Sequence, residues 1–248
     1  MISKSIEKYV NSLKQKKYRI EEGHYIAEGE KIAEELLHSD QVISELIATG
    51  DWLSSNERLQ RRENMKVIEA TEQEMKRISG LVRPSNVLLV VAIPPVEVDE
   101  QVVLKNLSLV LDGISDPGNL GTIVRIADWF GIPYIFCSED SADAYNPKVV
   151  QASMGSIARV KVTEMPLADL FRRFPSMPVY ATALEGESIY SATLSKSAFI
   201  VIGNEARGIS EHISPFVTRV LTIPKSGGAE SLNAAVAAGI VCAMFRKD

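Results

Sequence analysis

The chain of 248 residues has little of what marks several common classes of protein. Its two cysteines are too few for a disulfide framework, which favours a reducing compartment. Its three histidines are scattered, so the sequence predicts neither a zinc site nor a Ser-His-Asp triad. No apolar run reaches the roughly 18 residues that span a bilayer, and the segment MISKSIEKYV lacks the apolar core of a secretory signal. We therefore expect a soluble cytoplasmic protein with no metal and no membrane partner.

The composition is that of an ordinary globular protein, with 46% hydrophobic and 24% charged residues. Both cysteines lie in apolar segments, Cys137 in a predicted strand and Cys242 in a predicted helix. We expect both thiols to lie in the core rather than at a reactive site.

The acidic net charge of −5 argues against a nucleic-acid partner, because such proteins usually carry a basic surface. The charges are nevertheless segregated along the chain. Residues 1–20 hold six basic residues and one acid, residues 21–56 hold nine acids and one lysine, and residues 57–83 hold seven basic residues and five acids. These runs are either solvated helix faces or parts of a basic patch that folding assembles, and the sequence leaves both interpretations open.

A domain boundary is predicted at residues 93–100, where Pro94 and Pro95 stop a helix and acidic residues follow. The prediction has three parts: a small α/β domain at 1–95 with a helical basic extension, a linker at 96–102 and a second domain at 103–248. Hydrophobic patterns in the first domain predict helices at 28–38 and 71–78 and strands at 42–48, 66–70 and 86–93. The second of these helices opens on a capping box formed by Thr71 and Glu74.

The second domain is predicted to be an α/β fold with a parallel sheet. Its patterns indicate strands at 107–114, 134–138, 178–184, 199–203 and 217–223, and helices at 119–130, 147–156 and 231–246. Apolar strands that alternate with helices are typical of a parallel sheet covered on both faces.

Ligands of such sheets bind beyond the carboxyl ends of the strands, and three of these loops carry unusual residues. Their sequences are DPGNLGTIVR at 116–125, IVIGNEARGIS at 200–210 and IPKSGGAESLN at 223–233. Neither a G-x-G-x-x-G fingerprint nor a phosphate-binding G-x-x-x-x-G-K-[ST] loop is present. Each loop taken alone is also compatible with an ordinary turn and a helix cap.

Taken together, in this order and spacing, the three loops resemble the motifs of the SpoU family of S-adenosylmethionine-dependent RNA ribose 2′-O-methyltransferases, within the SPOUT superfamily. The likeness covers about residues 103–248 and rests on three sets of matching residues. These are Asn119, Gly121 and Arg125 in the first motif, Gly203, Glu205 and Gly208 in the second, and Ile223, Pro224, Ser231, Leu232 and Asn233 in the third. The segment EGHYIAEGEKIAEELL at 22–37 also resembles, more weakly, the small RNA-binding domain that many members carry.

The resemblance implies a fold and a cofactor that the patterns alone do not give. Family members thread the C-terminal part of the catalytic domain into a trefoil knot, which holds S-adenosylmethionine in a bent shape. They are homodimers with the active site near the subunit interface. Carried over by position, the cofactor contacts fall on Ala183, Leu184, Gly203, Ile223 and Leu232, largely through backbone groups.

The resemblance also implies a catalytic set. Arg125 is either the general base of the reaction or the anchor of an adjacent RNA phosphate, since a guanidinium normally stays protonated. The side chains of Asn119, Glu205, Ser231 and Asn233 are expected to orient Arg125, the ribose and the loops. Arg207 is unusual for the family and is left out of this set.

RNA is the implied partner, with ribosomal RNA favoured over transfer RNA because of the N-terminal domain. Its predicted contacts are four basic residues of the N-terminal extension: Lys14, Lys16, Lys17 and Arg19. Two other functions stay open, a catalytically silent RNA-binding relative and an enzyme that acts on a small molecule.

Overall fold

The computed structural model describes residues 2–95 and 97–247, so Met1, Val96 and Asp248 of the predicted ranges lie outside the described residues. The described residues form two compact units. The first comprises the chain up to Pro95 together with Tyr145–Ala158, and the second comprises the remainder. The segment Tyr145–Ala158 thus packs with the first unit, although the sequence assigned it to the second domain. The predicted linker is partly helical, because a helix begins at Glu100.

The helices of the described residues are α1 (Lys4–Ser12), α2 (Lys16–Glu22), α3 (Glu30–Leu37), α4 (Gly50–Ser55), α5 (Glu72–Ile78), α6 (Glu100–Lys105), α7 (Pro117–Trp129), α8 (Pro147–Ser153), α9 (Leu167–Arg173) and α10 (Ala234–Phe245). The strands are β1 (His24–Glu28), β2 (Ile43–Thr49), β3 (Lys66–Ala70), β4 (Val87–Ala92), β5 (Leu107–Asp112), β6 (Tyr134–Cys137), β7 (Lys161–Glu164), β8 (Val179–Ser188), β9 (Ala198–Gly203) and β10 (Arg219–Thr222).

The first unit is built on a four-stranded sheet of order β1-β4-β2-β3. Strand β4 pairs antiparallel with β1 and β2, while β2 and β3 are parallel. Residues Val87–Val91 of β4 are all buried. They form one apolar run because β4 is an inner strand that is covered on both faces. One face packs against α1 and α5 through Val10, Leu13, Met75 and Ile78. The basic extension is helical, as predicted.

Two details of the first unit differ from the sequence prediction. Strand β1 was not predicted, and the helix expected from residue 28 begins at Glu30 because Glu28 is the last residue of β1. The predicted capping box is present, since the Thr71 side chain accepts from the Glu74 N–H and the Glu74 carboxylate accepts from the Thr71 N–H.

The second unit is a six-stranded sheet of order β10-β8-β9-β5-β6-β7 in which every described pair is parallel. Alternate residues of the central strands, such as Val110, Phe136 and Phe199, pack with α6 and α9 on one face. Helices α7 and α10 pack against each other and contact the sheet through β6 and β9. The predicted α/β class is therefore confirmed, but β7 and α9 were missed.

Both cysteines lie in the core, as predicted. Burial raises the pKa of each thiol, Cys137 and Cys242, to about 12, so neither is a thiolate at neutral pH. Among the described residues, no helix is long and apolar enough to cross a bilayer, and no cluster of histidine, cysteine and acidic side chains could hold a metal ion.

Candidate active site

The three loops singled out in the sequence meet at one edge of the second sheet. Strands β10, β8, β9 and β5 are consecutive neighbours and run parallel, so their carboxyl ends lie at the same edge. The register sets Asp112, at the end of β5, beside Gly203, at the end of β9. The loops that follow these strands are therefore brought together by the sheet itself.

A chain of hydrogen bonds joins the three loops. The Asn119 side chain donates through Nδ2 to Glu205 Oε1 at 2.6 Å and accepts through Oδ1 from Asn233 Nδ2 at 2.8 Å. We call Asn119, Glu205 and Asn233 the amide–carboxylate set. It contains one residue from each sequence motif. Asn119 is 86 positions from Glu205 and 114 positions from Asn233 in the sequence.

Helix caps hold the two asparagines of this set. Asp116 is the N-cap of α7, and its Oδ1 accepts from the Asn119 N–H at 2.8 Å. Asn119 lies in the first turn of the helix. Asn233 is itself the N-cap of α10, with Oδ1 accepting from Ala235 N at 3.0 Å and from Val236 N at 3.3 Å. Each asparagine is thus held by the polar start of a helix.

Glycine at position 203 is required by a close approach of backbone. A Cβ on Gly203 would lie 2.6 Å from the carbonyl carbon and oxygen of Gly208 and 2.9 Å from Ile209 N. Two backbone hydrogen bonds between Asn204 and Gly208 hold the two segments together. Gly208 has a φ of +67°. The loop that carries Glu205 is therefore a tight, fixed turn.

Of the predicted cofactor residues, Gly203 ends β9 and Ile223 follows β10. Ala183 and Leu184 were expected at the end of a strand but lie within β8, which continues to Ser188. Leu184 is 71% exposed on β8, and Leu232 is 46% exposed just before α10. Ala183 is exposed, while Gly203 and Ile223 are half-buried at the ends of β9 and β10. The Thr222 hydroxyl donates to the Leu184 carbonyl at 2.9 Å, which ties β8 to β10.

Two predicted catalytic residues stand apart from the amide–carboxylate set. Arg125 is exposed on α7 and makes no hydrogen bond or ion pair with any residue that the structure describes. Ser231 is also exposed and makes no hydrogen bond within the described chain. The expected orientation of Arg125 by the other four residues is not seen in this chain.

Two of the four basic residues expected to contact RNA have structural roles. Arg19 is only 2% exposed, and its Nη1 donates to the Leu13 carbonyl at 2.9 Å, so the assignment of Arg19 to an RNA surface is corrected. Lys14 donates to Asn11 Oδ1 at 2.7 Å and to the Ser79 carbonyl at 2.9 Å, and desolvation lowers its pKa. Lys16 and Lys17 are exposed on α2.

Sequence reasoning missed polar residues that support the site. Asp112 is 5% exposed, and its Oδ2 accepts from the N–H and the hydroxyl of Ser210 at 2.6 and 2.8 Å. Asn204 donates through Nδ2 to the Gly113 carbonyl at 2.7 Å. The Asp-Pro pair at 116–117 is a recognisable signal for a helix N-cap. The Asp112–Ser210 contact joins positions 98 apart, so no local sequence pattern indicates it.

We expect Gly203→Ala to open this turn, because its methyl group would overlap the Gly208 carbonyl. Overpacking of this kind costs about 1–3 kcal/mol. Hydrogen exchange read by mass spectrometry should show lost protection of the Asn204 and Gly208 amides, and the unfolding temperature should fall. Gly228→Ala is the matched control, since a Cβ there meets nothing within 4 Å. Unchanged protection in Gly203→Ala would contradict the role given to this close approach.

Several known proteins are similar to this chain in sequence and fold. A 23S rRNA (guanosine(2553)-2′-O)-methyltransferase of Bacillus subtilis, RlmP, is 27% identical over 229 residues, which cover 91% of this chain and 90% of that one. A solved TrmH-family structure from Porphyromonas gingivalis is 39% identical with a TM-score of 0.88, covering 99% of this chain and 98% of that one. An AdoMet-bound rRNA methyltransferase from Sinorhizobium meliloti is 27% identical with a TM-score of 0.88, covering 99% and 96%.

Family profiles match both parts of the chain. Residues 5–89 match the MRM3-like substrate binding domain. Residues 106–243, which contain the amide–carboxylate set, match the SpoU rRNA Methylase family. The chain therefore belongs to the SpoU rRNA methylase family, as the three motifs predicted.

Proposed function

We propose that this chain transfers a methyl group from S-adenosylmethionine to a ribose 2′-hydroxyl of ribosomal RNA. The predicted enzyme class and cofactor are confirmed by the family match and by the relatives. The observation that carries the proposal is the amide–carboxylate set, because it unites all three motifs at one edge of the sheet. Ribosomal RNA is preferred to transfer RNA because rRNA enzymes align with nearly the whole chain, including its N-terminal unit.

The predicted cofactor residues on β8, at the end of β9 and after β10 suit S-adenosylmethionine chemically. Leu184 and Leu232 expose apolar surface that the hydrocarbon and adenine parts of S-adenosylmethionine would cover. Half-buried Gly203 and Ile223 offer backbone groups to its polar parts. When bound, S-adenosylmethionine supplies an electrophilic methyl group on a sulfonium ion.

We propose that Glu205 accepts the proton of the ribose 2′-hydroxyl. Of the five predicted catalytic side chains, Glu205 carries the one carboxylate, a group that can accept a proton, whereas a guanidinium stays protonated and amides and alcohols are not basic. Asn119 occupies Oε1 of that carboxylate and leaves Oε2 without a partner in the described chain. Exposed Arg125 is assigned to an RNA phosphate, which its planar fork fits.

Methyl-labelled S-adenosylmethionine and unmodified ribosomal RNA test these assignments. We expect label in ribosomal RNA and none in transfer RNA. Glu205→Gln keeps an acceptor for Asn119 but removes the base, so the saturated rate should fall about 100-fold or more. Arg125→Lys should instead weaken RNA binding and leave the saturated rate within about threefold. Glu230→Gln, an exposed neighbour in the third loop, is the control and should change neither.

The opposite pattern would reassign the base. If Arg125→Lys lost turnover at normal RNA affinity while Glu205→Gln kept it, Arg125 would be the general base. If wild type bound S-adenosylmethionine and RNA without transfer, the chain would be a catalytically silent relative. Label in transfer RNA alone would favour the transfer RNA alternative.

The RNA surface of the first unit is proposed to include Lys16 and Lys17 but not Arg19. Both lysines are exposed on α2, and Lys17 Nζ lies 5.7 Å from the Tyr18 ring centroid. Lysines contribute to RNA affinity by neutralising phosphates and releasing counterions. Buried Arg19 instead satisfies a backbone carbonyl, so its removal acts on folding.

We expect the double variant Lys16→Gln, Lys17→Gln to bind a ribosomal RNA fragment about tenfold more weakly and to lower the slope of log affinity against log salt by about 1–2. Arg19→Gln should lower the unfolding temperature. The control variant, Lys105→Gln with Lys196→Gln, removes two exposed lysines of the second unit and should keep the affinity of wild type. Equal salt slopes in all variants would show that the α2 lysines are only a solvated helix face.

We further propose a cytoplasmic homodimer that uses α7 and α10. Helix α10 carries no charged residue from Ala234 to Phe245, and Val236 is 52% exposed on it. Trp129, at the end of the adjoining helix α7, is 84% exposed. Exposed apolar side chains on two packed helices are typical of a protein interface, and a second copy of the chain is the occupant that the resemblance implies. The trefoil knot implied by the resemblance stays a prediction that an experimental chain trace would test.

Val236→Asp should place a charge in this interface and give a monomer. Light scattering should then report a mass near 27.2 kDa instead of twice that value. Leu104→Asp, on partly exposed α6, is the control and should stay dimeric. A wild-type chain that is monomeric at micromolar concentration would contradict the proposed dimer.

A further inference from the structure

A cleft of about 760 Å³ in the second unit lies outside the predicted site residues. It is lined by residues that follow four neighbouring strands, β9, β5, β6 and β7, at the carboxyl edge of the sheet. The predicted cofactor residues lie instead within β8, at the end of β9 and after β10. Asn204 lines the cleft and is the chain neighbour of Glu205, so the cleft and the amide–carboxylate set share one loop.

The floor of the cleft carries a buried carboxylate with an unused oxygen. Asp112 is 5% exposed, and its Oδ2 accepts both hydrogen bonds from Ser210. Oδ1 has no hydrogen-bond partner among the described residues, and it is accessible to solvent. A carboxylate oxygen in this position is stabilised by a ligand that donates N–H bonds.

The other groups of the cleft define its polarity. Ser138 donates to Asp140 Oδ1 at 2.6 Å, and Arg207 Nη2 donates to Asp140 Oδ2 at 2.8 Å. These two bonds hold the pKa of Asp140 below its usual range, the Ser138 bond contributing most, so Asp140 stays ionised and fixes Arg207 at the rim. Met165, buried Leu167 and Ile209 contribute apolar surface. The lining therefore has an acceptor at its floor, apolar sides and a cation at its edge.

We propose that this cleft binds a guanine base of the substrate RNA, beside the ribose that is methylated, with Asp112 Oδ1 accepting from the base. The inference rests on the proposed function, because RNA is taken as the substrate. A carboxylate presents only acceptors, and the N1–H and N2 amino groups of guanine present only donors. Oδ1 can accept from both of these guanine donors at once, whereas adenine, cytosine and uracil each place an acceptor beside their donor, so we expect each of them to bind more weakly.

The charges of the cleft set the direction in which a nucleotide enters. Glu139 and Glu211 join Asp112 and Asp140 in the lining, so a phosphate is repelled from the floor. Arg207 has further N–H donors beyond the one that Asp140 accepts, and its side chain is 69% exposed. The base therefore lies at the floor and the phosphate at the Arg207 rim. Arg207, which the family resemblance left without a role, becomes a positioning residue for RNA.

Mononucleotides test this on the full chain without a methyl-transfer assay. We expect GMP to bind with an affinity about tenfold higher than AMP. IMP, which lacks the N2 amino group, should be intermediate, and XMP, which carries a carbonyl there, should bind no better than AMP. In NMR spectra GMP should shift the amide signals of Gly113 and Ser210, because Gly113 follows Asp112 and Ser210 is bonded to it.

The informative variant is Asp112→Asn. The Ser210 N–H requires an acceptor, so the amide oxygen of Asn will face Ser210 and the NH₂ group will face the cleft. A donor then meets the donors of guanine, and GMP affinity should fall about tenfold while AMP affinity holds or rises. Glu211→Gln, which changes an exposed carboxylate of the same cleft, is the control and should preserve the preference for GMP.

The outcomes separate this inference from the proposed function. Equal binding of GMP, IMP and AMP to the wild-type chain, alongside normal ribosomal RNA methylation, would overturn the guanine site alone. A preference for GMP without methyl transfer would overturn the proposed function alone. Spermidine that displaced GMP and bound equally well to the Glu211→Gln variant would show a cation site, and the proposal would fall. The wild-type comparison of GMP with IMP decides the matter even if Asp112→Asn does not fold.

Discussion

The site depends on the side-chain amide of Asn119, which both donates and accepts. Its NH₂ group faces a carboxylate, Glu205, and its oxygen faces another amide, Asn233. An amide satisfies both neighbours at once, whereas an aspartate would repel Glu205 and a lysine would leave Asn233 without an acceptor. The orientation of the amide is thereby forced, and with it the relative positions of three loops that are distant in sequence.

This bond network is effective because its supports are rigid. Asn119 sits in the first turn of α7, after the Asp116 cap and a proline at the first helical position. Asn233 uses one side-chain oxygen to cap α10 and its NH₂ group to reach Asn119. The Glu205 loop cannot relax either, since Gly203 lets the backbone of Gly208 approach to a distance that no side chain would tolerate. A carboxylate held in this way is preorganised for a proton without further movement of the loop.

The sequence predicted the parts of the structure that local chemistry controls. Apolar runs predicted five of the six strands of the parallel sheet, all but β7, and Thr71 with Glu74 predicted the capping box as found. The motif residues Asn119, Glu205 and Asn233 were assigned together, and the structure joins them. The sequence did not predict two long-range features, the packing of residues 145–158 with the first unit and the Asp112–Ser210 contact. Both depend on pairings that no local pattern encodes.

Counting basic residues was misleading for a physical reason. A buried carbonyl needs a donor, and long basic side chains supply several donors at once. Arg62 donates to the carbonyls of Leu36, Leu37, Ser39 and Gln41, and so closes the end of α3. Arg19 donates to the Leu13 carbonyl and Lys14 donates to the Ser79 carbonyl. Arg77 forms an ion pair with Glu7. Part of the positive charge in residues 1–20 and 57–83 therefore stabilises the first unit and is not fully available to a polyanion.

The remaining charges explain how an acidic protein can suit an RNA substrate. RNA carries negative charge on its phosphates, but its ribose hydroxyls and base edges present hydrogen-bond donors. In the second unit the carboxylates of Asp112 and Glu205 end or follow adjacent strands, while Arg125 and Arg207 extend into solvent. In the proposed complex, carboxylates at the strand ends would face hydroxyl and base donors, and guanidinium groups at the edge would face phosphates. A net charge of −5 is compatible with this arrangement, because selectivity comes from where each sign of charge lies and not from their sum.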